Sequence, residues 1–198
     1  MPATDKQMHK HLRRLERIWV DWPIYFITTC TVERRAILAC KEIAEILIDE
    51  WRNAHKRHGW ALGRYVIMPD HAHFFCRAEL DAKALPVFMQ RWKEWTSKRI
   101  MREAAGRDHR SRLQKRATTN TDPLTGIGDA GPTVAGIGDP GRKVSANIWQ
   151  EEFFDHLLRS GESYSQKWDY VKENPARAGL VDRSDEWPWQ GEIEPLML

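Results

Sequence analysis

The chain has 198 residues, 41% of them hydrophobic and 30% charged, with a formal net charge of +3. That is enough for one compact domain carrying an insertion and too little for two ordinary domains, and the composition is that of a globular protein with a core. No apolar run approaches the roughly 20 residues that span a bilayer, and the opening stretch MPATDKQMHKHLRRLERIW is charged rather than signal-like, so the expectation is a cytoplasmic protein without a membrane partner.

Residues 5–18 read as a short basic helix. PIYFITTCTV (23–32) is dense in β-branched and aromatic residues and predicts a strand. KEIAEILIDEWRNAHKRHG (41–59) places Ile43, Ile46, Leu47, Trp51 and Ala54 at helical spacing and stops at Gly59. WALGRYVIM (60–68) and HAHFFCRAE (71–79) predict two strands joined by a turn at Pro69-Asp70. The three cysteines, Cys30, Cys40 and Cys76, are widely spaced and read as reduced thiols rather than a disulfide framework.

From Leu85 to about Ala105 the spacing predicts a second long helix, with Leu85, Phe88, Met89, Trp92 and Ile100 along one side. Arg91, Trp95, Lys98 and Arg102 fall on another stripe. Residues 91–116 hold ten Lys/Arg against three Asp/Glu, whereas 146–198 hold five against eleven. Such asymmetry suits a polyanion on one side of the molecule, and equally a solvated helix face. A tryptophan in a basic stripe is suited to stacking on an unpaired base. Residues 106–145 turn polar and basic, then rich in Gly and Pro. They contain an echo, TGIGDAGP (125–132) and AGIGDPGR (135–142), and read as a flexible insertion. NIWQEEFFDHLL (147–158) predicts a strand or strand and turn. ESYSQKWDYVKENP (162–175) predicts a helix ending at Asn174, because a residue before proline is pushed out of the helical region.

The order strand, helix, strand, strand, helix, strand, helix gives an α+β fold: a split βαββαβ antiparallel sheet, ferredoxin- or RRM-like, with two helices on one face and an added C-terminal helix on the other. His71 and His73, two apart on a strand, project from the same face. Tyr170 and Asn174, four apart on the last helix, share a side. If that helix packs over the strand, Asn174 completes a mixed N/O site with the imidazoles, suited to Mg²⁺ or Mn²⁺, and Tyr170 reaches it as a nucleophile.

MPDHAHFF (68–75) resembles the His-hydrophobic-His motif of the HUH single-strand endonucleases. WQEEFFDH (149–156), followed by DYVKENPARAGLV (169–181), resembles the second signature of the single-tyrosine transposases, and the nearest likeness is to REP-associated tyrosine transposases. The resemblance implies a metal-dependent nuclease and strand transferase working through a 5′-phosphotyrosine. It implies His71, His73 and Asn174 as ligands of Mg²⁺ or Mn²⁺ and Tyr170 as nucleophile, with Tyr164 the competing choice. The implied partner is single-stranded or hairpin DNA with REP-like palindromes, bound by a monomer or homodimer; Arg91, Lys98 and Arg102 would meet phosphates and Trp95 a base. His156 reads either as a DNA-contacting or as a structural group. The alternatives are a non-catalytic single-strand-binding module on the same RRM-like frame, and a hydrolase that uses water in place of the tyrosine.

Overall fold

The computed structural model describes residues 23–118, 147–158 and 161–196, with side chains at 23–106, 147–158 and 163–196. The predicted N-terminal helix and the Gly/Pro-rich repeats lie outside the described residues. Five strands form one antiparallel sheet: β1 (Ile24–Cys30), β2 (Trp60–Ile67), β3 (His71–Ala78), β4 (Phe154–Leu158) and β5 (Gln190–Glu192), in the order β4-β1-β3-β2-β5. The first four are the strands of the expected split βαββαβ arrangement. The short β5, not among the predicted elements, adds to the edge of β2.

The helix expected over 41–59 is α1 (Lys41–Arg52) and α2 (Ala54–His58), separated at Asn53, whose side-chain amide donates to the Asp49 carbonyl at 2.8 Å. Gly59 closes α2 in the left-handed region, φ 73°, where a residue without Cβ has no steric penalty. The second long helix, α3 (Leu85–Thr118), runs thirteen residues past the expected end and takes up the first part of the proposed insertion. GRDHRSRLQKRAT contains mostly good helix formers, and no proline intervenes before Pro123. The last predicted helix is α4 (Gly161–Lys172), followed after Glu173 by the single turn α5 (Asn174–Arg177), which carries Pro175 near its start, where a missing N–H costs nothing.

Strand alternation divides the core in two. On one face Ile27, Ile67, Ala72, Phe74 and Cys76 meet α1 and α3 through Leu47, Trp51, Phe88, Met89 and Trp92, with Trp51 and Trp92 stacked at 5.7 Å. On the other, Ile24, Phe26, Ala61, Val66 and Phe75 meet Tyr164 and Val171 of α4 and Leu196 of the tail. A bulge between Leu62 and Tyr65 gives β2 one residue more than β3 and rephases its side chains. Gly63 sits in that bulge, where a Cβ would lie 2.7 Å from Leu196 Cδ1. No helix among the described residues is long and apolar enough to cross a membrane.

Candidate active site

β3 carries the two histidines onto the face that α4 covers. Their rings lie edge to face at 4.8 Å. His71 Nδ1 donates to Asp70 Oδ1 at 2.6 Å, and Asp70 in turn accepts from Arg34 Nε at 2.8 Å. His73 Nδ1 shares a hydrogen bond with Thr28 Oγ1 at 2.8 Å across the β1–β3 pair. With both Nδ1 atoms engaged, the tautomers that donate from Nδ1 leave both Nε2 lone pairs open, as oriented metal-ligating imidazoles have them. Burial, reinforced by the charges of His71, Lys167 and Arg34, pushes His73 down to about 3, so it is neutral at physiological pH. The donor chemistry fits a divalent cation with open coordination positions. Among the described residues no group of three His, Cys, Asp or Glu side chains forms a metal cage, so a third protein ligand has to be of another type.

α4 turns its two tyrosines to different surroundings. Tyr164 is 7% exposed, packs edge-on against Phe75 at 4.8 Å and lies under the Arg64 guanidinium; burial raises its pKa. Tyr170 is 62% exposed, and the Arg177 guanidinium lies 4.1 Å from its ring centroid. Arg177 also donates to the Tyr170 carbonyl at 2.5 Å and to Asn174 Oδ1. That amide oxygen thus already accepts one hydrogen bond and keeps a second lone pair. One turn before Tyr170, Lys167 holds its Nζ 5.0 Å from the Phe26 centroid and 6.0 Å from the Tyr170 centroid. Phe26 itself stacks on His73 at 5.4 Å. His73, Phe26, Lys167 and Tyr170 therefore form a continuous run from sheet to helix.

The second sequence signature delivers β4 to this face. Trp149 is buried at 4.9 Å from Trp92, and its Nε1 donates to Thr96 Oγ1 at 2.8 Å. Lys93 Nζ donates to the carbonyls of Gln150, Glu151 and Glu152 at 2.8–3.0 Å, and its burial lowers it to about 8. β4 then pairs with β1 so that Phe154 lies opposite Thr28 and His156 opposite Phe26. Both are exposed and both stand on the histidine face, Phe154 at 54%.

Arg91, Trp95, Lys98 and Arg102 are all exposed on α3, as their spacing predicts, with Trp95 at 48%. α3 packs on the opposite sheet face, however, so the stripe is not brought to the histidines. Glu94 pairs with both Arg91 (3.3 Å) and Lys98 (2.6 Å). Of the four, Lys98 lines a groove of about 710 Å³ between α3 and residues 147–153. Sequence reasoning missed Thr28, Asp70, Lys93 and Lys167 as partners. Asp70, adjacent to His71, and Lys167, three residues from Tyr170, left local signals, whereas Thr28 and Lys93 left none.

Residues 23–117, just under half of the chain, match the family model described as Transposase IS200 like. The matched segment is the one that builds β1–β3, α3 and the histidine pair, while Tyr170 and Asn174 lie beyond the match. More particularly, the chain is 37% identical over 43 residues to the REP-associated tyrosine transposase of Escherichia coli (strain K12), a stretch covering 22% of this chain and 26% of that protein. The fold aligns with a solved REP-associated tyrosine transposase bound to a REP hairpin, with a TM-score of 0.56 at 17% identity over 90% of this chain and 82% of that one. The matches bear out the resemblance read from the two signatures.

Proposed function

We propose that the chain is a metal-dependent single-strand DNA endonuclease and strand transferase, transposase-like, acting on hairpin or palindromic DNA through Tyr170. One observation carries the reading: the helix bearing an exposed tyrosine packs on the same sheet face as two imidazoles whose Nδ1 atoms are already engaged. The REP hairpin in the aligned relative supports the choice of DNA. His71 and His73, with Asn174 Oδ1 as third donor, would hold a Mg²⁺ or Mn²⁺ ion, which when bound supplies charge stabilisation for the non-bridging oxygens of a phosphate. The Tyr170 phenol oxygen bonds to phosphorus as the P–O3′ bond breaks. The phenol gives up its proton, the departing 3′ oxygen gains one, and the 5′ end stays on the protein as a phosphotyrosine. Because that ester conserves the bond, attack by another 3′-hydroxyl rejoins strands without a nucleotide cofactor.

The test is incubation of labelled single-stranded hairpin DNA with protein and Mn²⁺, followed by denaturing electrophoresis. The expected result is a covalent adduct lost in Tyr170→Phe and in His71→Ala. An adduct that persists in Tyr170→Phe overturns the assignment. If no metal-dependent cleavage occurs and both variants bind the DNA as the parent does, the chain is instead a single-strand-binding module on this fold.

A further inference from the structure

The charges around the site are mostly committed. Arg34 is held by Asp70, Lys172 by Asp169 at 2.9 Å, and Arg177 by the Tyr170 carbonyl and Asn174. Lys167 differs. Among the described residues no carboxylate pairs with it, and its ammonium lies over Phe26 and beside Tyr170, between the histidine pair and the phenol. Unpaired with any carboxylate among the described residues, that cation faces the space a phosphate would have to enter to meet both groups.

We infer that Lys167 is a phosphate-binding residue of this site, donating through Nζ to a non-bridging oxygen of the phosphodiester that Tyr170 attacks. The inference rests on the reading of Tyr170 as nucleophile and names a residue for which that reading had no use. Geometry favours a lysine here. Residues 167 and 170 are one turn apart on the same flank of α4, so the four-carbon stem crosses Phe26 while the head stays mobile enough to follow a phosphate. The competing role is mechanical, with the stem merely packing α4 on Phe26. Lys167→Met keeps that packing and removes only the charge, while Lys167→Arg keeps the charge.

Two readouts separate these roles. In the Tyr170→Phe background, without added metal, affinity for a hairpin with an unpaired flank is measured across a NaCl series. Adding Lys167→Met should flatten the slope of log K against log salt by about 0.7, the loss of one single-strand phosphate contact. In the parent background with Mn²⁺, Lys167→Met should slow adduct formation on the order of 100-fold, as loss of a transition-state donor does, and Lys167→Arg should recover most of it. The thermal midpoint should be unchanged in Lys167→Met. If the parent forms its Tyr170 adduct and Lys167→Met matches it in both rate and salt slope, this inference alone falls. If the parent forms no adduct, the nucleophile reading falls, and a flattened slope would still assign Lys167 to phosphate binding.

Discussion

Asp70 and Thr28 act on the imidazoles from opposite directions, one from the turn before β3 and one from the neighbouring strand. Each fixes a ring by its Nδ1. Asp70→Asn keeps the size of the side chain but weakens the acceptor, so Mn²⁺ affinity should fall about 10- to 100-fold, read by titration followed with electron paramagnetic resonance. Away from the site, His58 packs tilted against Phe88 at 5.6 Å, and its pKa is lowered by burial and by Lys83. Between that lowered value and 6.5 the unfolded chain holds a proton that the folded chain refuses. The contribution of His58 is therefore complete above about pH 6.5 and is lost as pH falls below it. Urea midpoints should drop more steeply from pH 7 to pH 5 in the parent than in His58→Gln.

At the scale of elements, the residues of WQEEFFDH combine an anchor with a delivery. Trp149 fixes the segment in the core, Lys93 gathers three successive carbonyls, and β4 starts immediately afterwards on the histidine face. Lys93→Met should speed amide exchange across 150–156 by at least tenfold while leaving β2 and β3 protected. Thr96→Val would leave the buried Trp149 N–H without an acceptor and should cost about 1–3 kcal/mol in urea unfolding. Helix and strand periodicity made most elements legible, including the two apolar faces that place α4 opposite α1 and α3. The far end of α3 was not, because no Gly or Pro marks it. Nor was the bulge at 62–65, since its extra residue shows only against a partner strand. Lys93 and Thr28 were invisible for a related reason: their partners lie 57 and 45 residues away in the chain.

Across the whole molecule, the two helices on the first face are tied by charge as well as by aromatic packing. Arg99 of α3 reaches Asp49 at 2.5 Å and Glu50 at 2.7 Å, and the buried Glu50 also pairs with Arg57. Arg99→Met leaves that carboxylate with one partner and should destabilise the fold by about 2 kcal/mol, measured by chemical denaturation. The tail closes the opposite margin: Trp187 Nε1 donates to the Ile67 carbonyl at 2.9 Å, Ile67 N–H to Trp189 O at 2.8 Å, and Leu196 fills the space above Gly63. With β2 capped in this way, β4 is the open border of the sheet among the described residues. The exposed row on α3 and the histidine pair occupy opposite sides of that sheet. A strand that touched both would have to fold around a margin of the sheet, and the β4 border, with the exposed Phe154, offers one. In a ladder of progressively shortened oligonucleotides, the grip of the outer row should therefore disappear at one length while cutting at the tyrosine continues.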